Sequence, residues 1–272
     1  MTKTSTTRNL SATILETKFL NDRGVAYLKH GNLDMAMRLL RRALSKMMQH
    51  TENHVPGESP DTASAQHGEG LCSMQEDNPA NPLNKDNSLP SRQRPLRSVA
   101  FDIAWYRQTN ITRPTTASLV EDGLIAMYEC AFLISSQDID EQSITAALLF
   151  NLALVNHCRA VYLSQSKNLK TSLRLYEMIL DIVQFQVDER NYTRSFDDLL
   201  ILATLNNCAH VHSQQFHHEE AKHYLNSLRH AMSTTSLRLE DQQSALSEDD
   251  YSFFVLNAMC LHGEEVRIAP AA

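Results

Sequence analysis

Glycine is scarce in this chain, with seven in 272 residues. Loops that cradle phosphates with bare backbone are therefore hard to build. No Gly-x-Gly-x-x-Gly, Walker loop, Gly-x-Ser-x-Gly elbow or kinase signature occurs. Cysteine is sparse and odd in number: Cys72, Cys130, Cys158, Cys208 and Cys260 are widely spaced, and no Cys-x-x-Cys pair exists. That spacing indicates neither a disulfide framework nor a zinc site, and a reducing compartment is expected. No stretch approaches the roughly 18–20 apolar residues that span a bilayer, so no membrane partner is expected. The Ser/Thr-rich N-terminus lacks an apolar h-region, and helical periodicity beginning near Leu10 leaves little room for a transit peptide. A cytoplasmic location is expected, with the nucleus also compatible. Long Val/Ile-rich alternation is missing too, which argues against a sheet as the framework.

What remains is a chain 42% apolar, rich in Leu, Ala and Met, and therefore helical in character. Its formal net charge of −7 is unevenly spread. Residues 1–50 hold nine basic side chains against three acids, so that segment is +6 and the remainder −13. Arg38, Arg41, Arg42 and Lys46 gather on one predicted helix. Such a patch attracts nucleic acid, acidic lipid, an acidic partner, or the chain's own acidic part. It lacks interleaved aromatics for base stacking, which argues against sequence-specific RNA reading.

Residues 21–44 carry Gly24, Tyr27, Gly31, Leu33, Ala36, Leu40 and Ala43 at the spacing of a helix–turn–helix unit. Small residues recur where two helices touch, and larger apolar ones fill the space between. The segment resembles a tetratricopeptide repeat (TPR), a unit of about 34 residues that buries its apolar face only by stacking on copies. The pattern predicts one helix over 10–29, a turn at His30-Gly31-Asn32, and a second helix from Leu33 to about 48. Residues 49–97 hold six of the eight prolines and no aromatic residue, so they are read as a disordered linker or insertion. Residues 99–106 and 123–134 are the β-like runs; a small hairpin fits both, and a short helix also fits the second. Helices then follow over about 141–162, 168–187, 196–215 and 218–234, with a last one opened by Ser247 and Asp250 and ended at Gly263. A tail, 265–272, closes the chain.

Gly24 to Ala36 spans the same interval as Ala209 to Ala221, and Leu40 and Leu225 follow each second small residue by four. A middle pair aligns through Asn151-Leu152-Ala153 and Ser172, Tyr176 and Ile179. The stretch ATLNNCAHVHSQQFHHEEAKHYLNSLRHAM resembles the repeats of kinesin light chains. The fold class expected is therefore all-α: a short TPR-like α-solenoid with a long disordered insertion. The resemblance implies that the first helices line a groove for partner peptides. In several TPR proteins an asparagine two residues before the small residue of the first helix bonds a bound peptide's main chain. Here that position is Asn151 and Asn207, with Asn257 similarly placed in the last helix and Asp22 standing in the first repeat. A carboxamide both donates and accepts, which suits an extended main chain. The same residues also suit local bonds to neighbouring helix ends. A carboxylate clamp is not expected, because Ile201, Leu202, Asn206 and Asn207 bring no basic residue.

His210, His212, His217, His218 and His223 crowd together, but without the i, i+4 pairing that places two metal ligands on one helix face. Neither a metal nor a cofactor is expected. Asp197/Asp198 and Asp249/Asp250 begin helices, where capping accounts for them. The function expected is a non-enzymatic interaction scaffold or adaptor. A protein or peptide partner would dock on helices 142–164 and 196–215 through Asn151, Asn207 and Asn257. The alternative is a nucleic-acid-associated helical protein working through Arg38, Arg41 and Arg42.

Overall fold

The computed structural model describes residues 3–54, 96–100, 125–135, 139–188, 198–239 and 246–259. These form seven helices and one two-stranded sheet. In chain order they are α1 (Lys3–Lys29), α2 (Leu33–His54), β1 (Leu96–Ala100), β2 (Cys130–Ile134), α3 (Glu141–Tyr162), α4 (Lys167–Asp188), α5 (Asp198–Gln214), α6 (His218–Leu239) and α7 (Glu248–Met259). The mostly helical class and the small β-hairpin agree with the sequence. β1 starts three residues before the first expected run, whose residues 101–106 lie outside the described residues, as do 123–124 of the second; of the described part of the second run, Cys130–Ile134 is strand. α2 continues to His54, past its expected end. Most of the expected disordered stretch, 55–95, lies outside the described residues, as do Gly263, the expected end of the last helix, and the tail 265–272.

The helices come as three hairpins and a closing helix. Between α1 and α2 the turn His30-Gly31-Asn32 puts Gly31 at φ 73°, and the Asn32 side chain accepts from the Met35 N–H at 3.1 Å. The other two hairpin turns also use one left-handed residue each, Ser164 at φ 53° and Phe216 at φ 60°. Neither is glycine, so each turn carries a backbone cost of roughly 1–2 kcal/mol that the flanking helix contacts must exceed. Gly24 lies at a close approach of α1 and α2: a Cβ there would stand 2.9 Å from Leu40 Cγ. Ala36, Leu40 and Ala43 are fully buried opposite it. Small residues thus set the interhelical distance, and Leu40 fills the space they leave.

Each helix packs on the next, and α1–α3, α3–α5 and α5–α7 also touch. α3 is consequently covered on nearly every side, from Ile144 through Phe150 to Cys158. Against the expectation that no stretch approaches a membrane span, α3 is long and apolar enough for one by length and composition, and 83% of that apolar stretch is buried inside the fold. Capping fixes its start, since Asp140 accepts from the Ser143 N–H at 2.8 Å. The predicted Ser247 and Asp250 cap is formed as well: the Asp250 N–H reaches Ser247 Oγ at 3.1 Å, and that hydroxyl donates to Asp250 at 2.6 Å. β2 pairs antiparallel with β1 from Leu96 opposite Ile134 to Ala100 opposite Cys130.

Candidate functional site

The extended segment Ile125–Ser135, which contains β2, runs along α1, α3, α5 and α7 as a strap. Its side chains Ile125, Ala126, Met127, Tyr128, Ala131, Phe132 and Ile134 are all buried. The segment is apolar without helical periodicity, so both faces can be covered at once. Extended main chain leaves an N–H and a C=O on each side in alternation. Over Cys130–Ile134 one side is met by β1. The other is met by asparagines.

Asn151 on α3 accepts from the Phe132 N–H at 2.8 Å and donates to the Phe132 carbonyl at 2.8 Å. Asn207 on α5 repeats this at Tyr128, accepting at 2.8 Å and donating at 3.1 Å. Asn257 on α7 repeats it at Ala126, at 2.8 and 3.2 Å. All three asparagines are fully buried. Their contacts fall on residues of the same parity, 126, 128 and 132, as strand alternation requires. Two further asparagines complete the row. Asn21 on α1 donates to the Phe132 carbonyl at 3.0 Å and accepts from Asn151 at 2.8 Å. Asn206 donates to the Ala126 carbonyl at 2.9 Å and accepts from Asn257 at 2.9 Å. A carboxamide buried without partners costs several kcal/mol, and here the donors and acceptors are matched throughout.

The structure therefore brings Asn151, Asn207 and Asn257 together on one row, with their polar groups engaged by the chain's own strap. Sequence reasoning missed Asn21, Asn206 and the strap itself. Alignment on the small residue pointed to Asp22 in the first repeat, but Asn21 reaches the strap instead. Its signal is a spacing: Asn21 and Asn206 each stand three residues before the small residue, Gly24 and Ala209. Asp22 is half-buried, and its carboxyl is raised above the usual range by that burial.

Side chains of the strap occupy separate pockets. Tyr128 stacks on Phe254 with ring centres 5.1 Å apart and meets the edge of Phe253 at 5.5 Å. Its hydroxyl donates to Asp250 at 2.9 Å, and burial raises its pKa well above the usual tyrosine range. Phe132 packs edge-on against Phe150 at 4.9 Å. Glu129 points toward α3, where its carboxylate group accepts from the Tyr162 hydroxyl. Burial pushes the Glu129 pKa from 4.5 up to about 8.

Behind the row lies a polar chain. Asn207 Nδ2 stands 3.1 Å from Tyr176 Oη, which is 3.4 Å from His157 Nδ1; His157 Nε2 is 2.8 Å from His210 Nδ1. Burial lowers the His157 pKa well below the usual value, and lowers that of His210 to about 4. Both are held neutral. His212 stacks on Tyr224, while His217 and His218 are exposed near the turn. Among the described residues no group of three His, Cys, Asp or Glu side chains could hold a metal ion.

Arg38, Arg41 and Arg42 lie away from this site, exposed on α2. Glu16 on α1 is 2.6 Å from Lys46 and 3.7 Å from Arg42. Arg159 on α3 pairs with Asp34 on α2 at 2.9 Å, tying the first hairpin to the second. No protein-family model, curated protein or solved structure matches the chain.

Proposed function

We propose that this protein is a non-enzymatic interaction module, a TPR-like array of helical hairpins whose groove holds an extended polypeptide segment. One observation carries the reading: three asparagines on three helices each hold both main-chain polar groups of a single extended residue. Such bidentate pairing recognises polypeptide backbone as such, whatever side chains it bears. The asparagine row favours peptide over any small-molecule substrate. A repeat architecture also accounts for the hairpins' order of contact, the small residues where α1 meets α2 and the position of the asparagines on alternate helices. In this reading α1, α3, α5 and α7 hold the chain's own strap in the manner in which such an array would hold a partner's extended segment.

Affinity purification of the full chain beside an Asn151→Ala, Asn207→Ala chain tests this, with circular dichroism to verify that both are folded. Partners lost from the variant support the groove. An unchanged set of partners places binding elsewhere and sinks the assignment.

A second reading rests on Arg38, Arg41 and Arg42, three exposed guanidinium groups on one helix. These suit phosphate contacts in a nucleic acid. Binding of that kind weakens steeply with salt. A chain that binds neither RNA nor DNA at low ionic strength excludes it.

A further inference from the structure

With the strap fixed in place, the unmatched main-chain groups of the sheet lie on β1. Phe132 donates its N–H to Asn151, and its carbonyl accepts from Asn151 and Asn21, so neither group faces β1. Phe132 stands opposite Ser98, with Leu133 opposite Arg97 and Ala131 opposite Val99. In an antiparallel ladder bonded and non-bonded pairs alternate. Arg97 and Val99 therefore turn their main-chain groups toward β2, and Leu96, Ser98 and Ala100 turn theirs to the opposite edge. Leu96 is buried, whereas Ser98 is half-buried and Ala100 exposed. At Ser98 and Ala100 the N–H and carbonyl groups thus face outward, and no described residue bonds to them. The side chains sort by face: Arg97 and Val99 project beside Ala131 and Leu133, and Ser98 and Ala100 project beside Phe132 and Cys130. Arg97 is exposed, and no carboxylate among the described residues pairs with it. A strand edge of this kind is a template for another extended chain.

We propose that a partner protein's extended, acidic segment docks on this edge, adding as a third strand antiparallel to β1 with a carboxylate across from Arg97. This rests on the interaction-module reading above and says where the partner goes. The strap fills the asparagine row, β1 fills the strap's other edge, and the outer edge of β1 is what remains for a second extended chain. The partner residues opposite Ser98 and Ala100 exchange both main-chain bonds with them. Their neighbours fall on the other face, across from Val99 and Arg97. A β-branched residue suits the first position and an acid the second, and antiparallel order sets the acid two positions C-terminal to the β-branched residue. A second copy of β1 is a poorer occupant. Paired about Ser98, it would set two Arg97 side chains diagonally on one face, where like charges repel. Arg92 and Arg94 precede Arg97 in each copy and add to that charge.

The probe is the peptide acetyl-Gly-Thr-Val-Thr-Glu-Thr-Gly-amide, titrated into the isotope-labelled full-length chain and followed by amide NMR shifts. The Ser98 and Ala100 signals should move and saturate. Ser98→Pro removes an outward N–H and spares the ladder to β2, so it should weaken binding about tenfold with an unchanged circular dichroism spectrum. N-methylation of the peptide's second threonine, opposite Ser98, should do the same. N-methylation of its valine, whose N–H points away from β1, should change affinity by less than about twofold. A peptide with lysine in place of glutamate should bind about fivefold more weakly, and Arg97→Glu should reverse that preference. No saturable shift at Ser98, equal losses from the two N-methyl peptides, or a charge preference that Arg97→Glu leaves in place overturns the proposal. In affinity purification, partners captured equally by the wild-type and Ser98→Pro chains overturn the edge but leave the interaction-module reading standing. If the Asn151→Ala, Asn207→Ala chain also captures them equally, that reading falls with it. A concentration-dependent dimer on size-exclusion chromatography that Ser98→Pro disperses makes a second copy the occupant and likewise overturns the proposal.

Discussion

Replacing Glu129 by glutamine should stabilise this protein, and by an amount that depends on pH in a defined way. The carboxyl rises from 4.5 to about 8 in the folded chain because burial penalises its charged form. A raised carboxyl pKa means that the folded state binds a proton more tightly than the unfolded state. The wild type is therefore most stable below pH 4.5 and loses stability as pH climbs through the interval to about 8. Each unit in that window costs about 1.4 kcal/mol. At pH 7 the loss reaches about 3 kcal/mol, and at pH 5 it is under about 1. Glutamine is nearly isosteric, still accepts from the Tyr162 hydroxyl, and has no proton to bind. Urea denaturation of both chains, followed by circular dichroism from pH 5 to 9, separates the two cases. The variant's advantage should grow from under 1 to about 3 kcal/mol between pH 5 and 7, then level off above about 8. Two stability curves running parallel across that range would refute the argument, because a constant offset reports packing and not ionisation.

Asn207→Ala strands the Tyr128 N–H and carbonyl in the core and removes a partner from Tyr176. A loss of about 3–5 kcal/mol is expected from these unsatisfied groups, together with faster hydrogen exchange at Tyr128. Gly24→Ala should destabilise by about 1 kcal/mol net, because the close approach to Leu40 outweighs the gain in helix propensity. In a Leu40→Ala background the same change should stabilise by roughly the propensity difference, about 0.8–1 kcal/mol, and a double-mutant cycle by chemical denaturation reads that reversal of sign. His210 has its pKa lowered to about 4, so the folded chain binds fewer protons than the unfolded one below pH 6.5. Stability should be complete above 6.5 and fall by about 1.4 kcal/mol per unit for this histidine as pH drops toward 4. His210→Gln should remove that share, leaving the slope contributed by His157.

The helices were legible because their signals are local. Gly31, the Ser247 cap, and the small residues Gly24 and Ala36 fix starts, turns and close approaches within a few residues of sequence. The asparagines were also legible as a set, since Asn151 and Asn207 each stand two residues before a small residue, Ala153 and Ala209, and Asn257 is similarly placed in the last helix. What occupies them was not. Tyr128 and Asn207 are separated by most of three helices, and nothing local marks residues 125–134 as the segment that lies across four of them. An apolar run of that length reads equally as a core strand or a buried helix turn until its long-range partners are known. Asn21 escaped for a related reason. A helix positions its side chains every 100° or so, and a neighbour of the expected residue, tilted slightly, reaches the same strap.

The polar chain behind the groove fixes the protons on two buried imidazoles from a distance. The Tyr128 N–H can be met only by the oxygen of Asn207, so the amide nitrogen must turn toward Tyr176. Tyr176, receiving that donor, stands 3.4 Å from His157 Nδ1, and His157 Nε2 stands 2.8 Å from His210 Nδ1; where the Tyr176 hydrogen points at His157, the His157 proton sits on Nε2 and is given to His210 Nδ1. In that arrangement the direction of the strap's backbone is copied into the tautomeric state of a histidine pair on α3 and α5. An imidazole nitrogen spectrum would read, from inside the core, whether an amide at the groove is in place.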